Sequence, residues 1–192
     1  MGPSGGTCQK NAFVFVVCGK QHATRLQVAL RFLKHFSRCD LVVVSHTRLK
    51  LDGPQVITAR VPSRLDDHRA SIFLKTSLHK ILAGERRRFC YLDSDVIAVN
   101  GNVDSIFNQA RRPVSFAADH SHLREFGRFA VNCRCAGPEC GHLHSAIRKK
   151  FGVQITDAGW RHWNGGVFVF DDDSAGFMDL WHRQTLAIFG DP

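Results

Sequence analysis

Apolar residues in this chain fall into short dense blocks set apart by polar turns, and the blocks alternate between two spacings. Ala12 to Cys18 (AFVFVVC) is unbroken, β-branched and aromatic, the pattern of a strand buried on both faces, and Gly19 ends it. Residues 24 to 35 then set Leu26, Leu30 and Leu33 on one helical stripe, and Leu41 to Ser45 returns to strand. Gln55 to Val61 reads as a further strand stopped by Pro62. Residues 65 to 82 carry Ile72, Leu74, Leu78 and Leu82 at helical spacings. A strand through Phe89-Cys90-Tyr91-Leu92 follows, then strands at Val114 to Ala118 and Gly166 to Phe170, and a helix from Phe177 to Phe189.

The alternation predicts an α/β fold, a mixed and mainly parallel sheet flanked by helices. No repeat or long linker divides the chain. Residues 1–10 read as a disordered lead and 11–192 as a single domain, with a Cys/His-rich insert at 133–144. The last helical pattern runs straight into Phe189-Gly190-Asp191-Pro192, which reads as a domain incomplete at its C-terminus.

Composition narrows this picture without fixing a function. With 192 residues, 44% of them hydrophobic, the chain can bury a substantial core. A formal charge of +9 favours an anionic partner. The clusters Arg86-Arg87-Arg88, Arg111-Arg112 and Arg148-Lys149-Lys150 lie apart and lack interleaved aromatics, so they read as solvated faces and no nucleic-acid partner is expected. No stretch approaches a transmembrane segment and the start lacks a signal-peptide pattern, so the expected location is cytoplasmic, with a peripheral membrane position compatible with the basic surface. Seven cysteines, several inside apolar runs, argue against a disulfide framework.

The chemistry concentrates in FCYLDSDVIAVN, residues 89–100. Strand side chains alternate faces, so Asp93 and Asp95 point to the same side and Ser94 points away. Two carboxylates that close call for a cation. Hard oxygen ligands suit magnesium or manganese, whose open positions are filled by substrate phosphates, and this points to a bound nucleoside diphosphate. The bland alternative is a solvated strand end.

CYLDSDVIAV, with HWNGGVFVF downstream, resembles the nucleotide-sugar-dependent glycosyltransferases of GT-A fold, especially the glycogenin-like and lipopolysaccharide galactosyltransferase-like group. The resemblance covers most of the chain. It implies transfer of a sugar from a nucleotide-diphosphate sugar, a UDP-sugar first among donors, to a hydroxyl of a glycan, lipid-linked or protein acceptor, with retention of configuration. It implies that Asp93 and Asp95 hold Mn2+ or Mg2+ against the donor diphosphate, with Asp93 also near the ribose and Ser94 beside the donor. Lys75, in FLKTSLHKIL, would approach the phosphates or sugar, and Arg69 is a second candidate for that role. Asn164 and Gly165 would lie beside the transferred sugar, Gly165 standing where the group often has Ser or Ala. Gly19 and the residues after it, through His22, would sit at the base end of the cleft. Asp119, after SFAA, matches a region that faces the sugar and would join Asp93, Asp95 and Lys75 as a catalytic candidate; it equally suits a helix cap. The group's third metal ligand, usually a histidine, lies further toward the C-terminus than this chain extends. For an inverting reaction, Asp119 and Asp157 are the visible bases.

Cys133, Cys135, Cys140, His142 and His144 form a separate cluster able to supply four ligands to a structural zinc ion, at a spacing that is not a standard finger. A reduced loop, or one disulfide with a spare thiol, would also account for it. The other histidines read as surface or core residues, and the tryptophans as packing, except Trp163 beside Asn164. Two rival functions are a sugar-phosphate nucleotidyltransferase and a zinc-stabilised nucleic-acid-binding module. The first needs a glycine-rich loop after its first strand, where VVCGKQHATR has one glycine; the second leaves the aspartate pair unexplained.

Overall fold

A computed structural model of the chain describes residues 11–85, 87–122, 142–156 and 161–190. In chain order these form β1 (Asn11–Val17), α1 (Lys20–Phe36), β2 (Asp40–Ser45), β3 (Gln55–Thr58), α2 (Asp67–Thr76), α3 (Leu78–Ile81) and β4 (Arg88–Leu92). A 3-10 turn (Val103–Ser105) leads into α4 (Ile106–Gln109), followed by β5 (Ser115–His122), α5 (His142–Phe151), β6 (Arg161–Phe170) and α6 (Ala175–Phe189). The strands are ordered β3-β2-β1-β4-β6-β5. β1, β2, β3 and β4 pair in parallel, while β6 runs antiparallel to β4 from Phe89–Phe170 to Leu92–Val167.

The chain divides into two compact units. One takes the residues up to Ser115 and those from Gly166 onward; the other is Phe116–Gly165. In the first unit the sheet is covered on both faces, as continuous apolar strands require. Phe13, Phe15 and Val17 of β1 and Cys90 and Leu92 of β4 share a core with Leu26, Ala29, Leu30 and Leu33 of α1 and with Phe107 of α4. Residues of opposite parity, Val14, Phe89 and Tyr91, are equally buried, and on that face Phe168 stacks on Tyr91 and meets Trp181 of α6 edge-on.

The predicted helix over 65–82 is two helices. Asp66 caps α2 by accepting from the Arg69 amide at 2.7 Å. At the far end Thr76 Oγ1 donates to the Ile72 carbonyl and Ser77 Oγ to the Phe73 carbonyl, and these local hydroxyl bonds separate α2 from α3. The strand expected over 55–61 ends at Thr58.

One expectation on the basic segments changes. Arg148, Lys149 and Lys150 are exposed on the last turn of α5, and Arg111 and Arg112 are exposed as well, as solvated faces require, whereas Arg87 and Arg88 are half-buried and paired with Asp40 and Asp171. α5 was not anticipated from the sequence. His142 and His144 belong to its backbone, whereas Cys133, Cys135 and Cys140 lie outside the described residues. Among the described residues no helix is long and apolar enough to cross a membrane.

Candidate functional site

Because β1, β2 and β4 are parallel, their carboxyl ends meet at one edge, where ligands gather in open α/β sheets. A cleft of about 720 Å3 opens there, lined by Gly19 and His22 after β1, by His46 and Thr47 after β2, and by Asp67 and His68 from the start of α2. Gly19 has φ 85°, a left-handed conformation that favours glycine, and a Cβ there would come within 2.5 Å of Asp67 Oδ2 and push that carboxylate aside. Lys20, Gln21 and His22 form the first turn of α1 rather than a loop. His46 Nε2 lies 3.6 Å from Asp67, and its Nδ1 is buried without a hydrogen-bond partner among the described residues. Cys18, buried beneath, has its thiol pKa pushed up to about 11, first by burial, so it stays protonated and unreactive.

The cleft adjoins the aspartate pair through His22, whose Nδ1 is 3.4 Å from Ser94 Oγ. Here the alternating-strand expectation fails. β4 ends at Leu92, and Asp93 opens a turn closed by the Val96 amide donating to the Asp93 carbonyl at 2.9 Å. Strand parity therefore stops at Asp93, and Ser94 is buried, 5% exposed, with its hydroxyl toward His22. Asp93 meets Lys75 of α2, with Nζ to Oδ1 at 2.9 Å. Asp95 meets Arg25 of α1 at a looser 3.9 Å and is 63% exposed.

Asp93 is held further by Tyr91, whose hydroxyl donates to Oδ1 at 2.5 Å and whose ring lies 4.7 Å from Lys75 Nζ. Burial first, then the Asp93 carboxylate, raises the Tyr91 pKa well above the usual phenol value, so the hydroxyl remains a donor. Lys75 is mostly shielded, with 15% of its side chain exposed. Arg69 points elsewhere: its guanidinium lies over the Phe189 ring of α6 at 5.7 Å. Six residues separate it from Lys75 on one helix, which turns the two to different faces.

As ligands for a divalent ion, the pair offers two carboxylates on one turn. Asp93 makes its protein contacts through Oδ1, and Asp95 is only loosely paired. Among the described residues no third His, Cys, Asp or Glu joins them, so a hard cation there would need donor phosphates to complete its shell. Asp119, Asn164 and Gly165 belong to the second unit, on β5 and β6. Asn164 and its neighbour Trp163 are exposed there and Gly165 is half-buried.

No family model and no curated protein matches the sequence. Solved structures do. Mouse xyloside xylosyltransferase 1, in its apo form, superposes with a TM-score of 0.55 over 93% of this chain and 73% of its own, at 13% identity. The galactosyltransferase LgtC, in complex with donor and acceptor sugar analogs, gives a TM-score of 0.56 over 91% of this chain and 64% of its own, at 14% identity. This chain has the GT-A glycosyltransferase fold. It spans about three quarters of the first neighbour and less than two thirds of the second.

In the GT-A fold the aspartate turn was legible as a motif, and Lys75 through the resemblance. Tyr91, Arg25, His46 and Asp67 were not singled out. Tyr91 carried the one available signal: it is the only tyrosine in the chain, set in a buried strand two residues before an aspartate, and a buried tyrosine hydroxyl needs a partner.

Proposed function

We propose that this protein is a glycosyltransferase that takes the sugar of a nucleotide-diphosphate donor, a UDP-sugar foremost, and passes it to an acceptor hydroxyl. One observation carries the reading: a turn bearing two carboxylates, one fixed by Lys75 and one nearly free, borders a nucleotide-sized cleft at the carboxyl edge of a GT-A sheet. The base and ribose would enter between Gly19, His46 and Asp67. The diphosphate would reach the Asp93–Asp95 turn, where Mn2+ or Mg2+ would be held by Asp95 and the outward oxygen of Asp93. When bound, that ion supplies charge stabilisation to the departing diphosphate.

The chain's own residues have definable tasks. Lys75 adds a positive charge from a largely water-excluded position, where it acts more strongly than in bulk water. Arg25, at 3.9 Å, screens Asp95 until a stronger cation replaces it. His22 and Ser94 close the seam between the base cleft and the turn. By the resemblance, Asn164, Gly165 and Asp119 would lie beside the transferred sugar.

Thermal unfolding with UDP, GDP and their sugar conjugates, each with manganese or chelator, tests the reading. Ligand that binds only the native state raises the melting temperature. The expected result is a rise with a uridine nucleotide that needs manganese and disappears in Asp95→Asn. If no nucleotide raises it under any condition, the donor-site assignment fails.

A further inference from the structure

Lys75 and Asp93 are joined by a third residue that the motif does not include. Tyr91 is 2% exposed, and its ring stacks on Phe168 at 4.8 Å, so it cannot swing. From that fixed place it touches two charged groups: its hydroxyl donates to Asp93 Oδ1, and its ring lies beside Lys75 Nζ. Lys75 reaches the same Oδ1. The three side chains close a triangle around one carboxylate oxygen.

Phenylalanine would fill this space and stack on Phe168 equally well, so packing does not explain the hydroxyl. An aspartate just past a strand end rotates about two side-chain bonds, and an ion pair with a flexible lysine restrains it weakly. A bond from a rigid buried phenol to an ionised oxygen restrains it far better. The ring meanwhile attracts the ammonium without using its hydrogen-bond donors.

We propose that Tyr91 is the positioning residue of the donor site: it turns Asp93 Oδ1 into the protein and Oδ2 toward the cleft, and serves as the pivot on which Lys75 moves between Asp93 and a bound diphosphate. This inference rests on the donor-site reading. Lys75 can leave Oδ1 for the diphosphate because Tyr91 keeps that oxygen partnered.

The test uses the full chain and two readouts. In calorimetric titration with UDP and Mn2+, Tyr91→Phe should weaken binding roughly tenfold, the loss expected for a hydrogen bond to a charged group. The variant should still unfold cooperatively, so that the weakened binding is not a loss of fold. Lys75→Met should also weaken binding, and the double variant should lose less than the product of the two single losses, because both act on Asp93 Oδ1. Since Tyr91 is the only tyrosine, growth on 3-fluorotyrosine labels it alone, and its single 19F resonance should shift when UDP and Mg2+ are added. That second readout decides the matter if Tyr91→Phe does not fold.

Wild-type binding with no 19F shift, or Tyr91→Phe binding within twofold of wild type, overturns the role of Tyr91 and leaves the donor site standing. Absence of UDP binding in the wild type removes both.

Discussion

The two edges of the first unit's sheet carry similar charges and use them differently. At the amino edge, where β1 and β4 begin and β6 ends, Arg87 binds Asp40 at 2.6 Å, and Arg88 donates to the Phe107 carbonyl at 2.6 Å while its Nε lies 3.7 Å from Asp171. Arg112 bonds Asp173 and approaches Asp171, which also caps the turn before α6 by accepting from the Asp173 amide. The carboxyl edge has contacts of 3.9 Å for Arg25–Asp95, 3.6 Å for His46–Asp67 and 3.4 Å for His22–Ser94, like the 3.7 and 3.9 Å approaches of Arg88 and Arg112 to Asp171, but it lacks the several short arginine bonds that accompany those at the amino edge. Only the Lys75–Tyr91–Asp93 group is tight. Charges at one edge are spent on each other and fasten the fold; at the other they stay loosely matched and open to a ligand.

Substitutions at the two edges should therefore give opposite signatures. The largest effect is expected for Asp95→Asn, which should lower manganese-dependent nucleotide affinity by about a hundredfold, read by titration calorimetry. It should move stability by no more than about 0.5 kcal/mol, since the residue is exposed and weakly paired. Asp171→Ala should do the reverse. Loss of the cap and of the carboxylate facing Arg88 and Arg112 should cost about 2 kcal/mol in denaturant unfolding, with nucleotide affinity unchanged. An affinity loss there would break the distinction.

Two smaller effects sharpen it. Gly19→Ala, at φ 85° and against Asp67, should cost about 1 kcal/mol and weaken nucleotide binding without altering its metal dependence. A pH response should come from the packing of α2 on α6. There His182 accepts or donates at 2.8 Å to Thr76 Oγ1 and meets the Phe73 ring. Burial, then the nearby Lys80 and His79, lowers the His182 pKa below its ordinary 6.5, with Asp179 opposing. The unfolded chain thus takes up a proton more readily than the folded one. Stability is full above about 6.5 and falls as pH drops toward the lowered folded value. Thermal melts from pH 8 to 5 should show this decline, and His182→Gln should flatten it.

Sequence reading reached the layers because the strands are long apolar runs and α1 has a clear stripe. It reached the aspartate pair as a motif. It misread the geometry of that pair, since period-two alternation holds only while ladder bonds continue, and the last of them, from the Asp93 amide, is followed by the turn that carries Asp95. It missed the arginine edge because Arg87, Arg88 and Arg112 find Asp40 and Asp171 across distances in sequence that no local pattern reports. Asp67 and His46 escaped notice for the same reason: each is ordinary where it stands and becomes part of a cleft only when β1, β2 and α2 come together.

The Asp93 amide donates to the Gly166 carbonyl at 2.8 Å, so this residue's backbone is tied to β6, and Asp95 lies beyond that tie on the turn. A cation between them would have one stiff arm and one compliant arm. Ions of different radius could then be accommodated by a small swing of Asp95 alone, leaving the sheet undisturbed, so tolerance toward the choice of metal would be set by the suppleness of a turn rather than by the identity of its ligands.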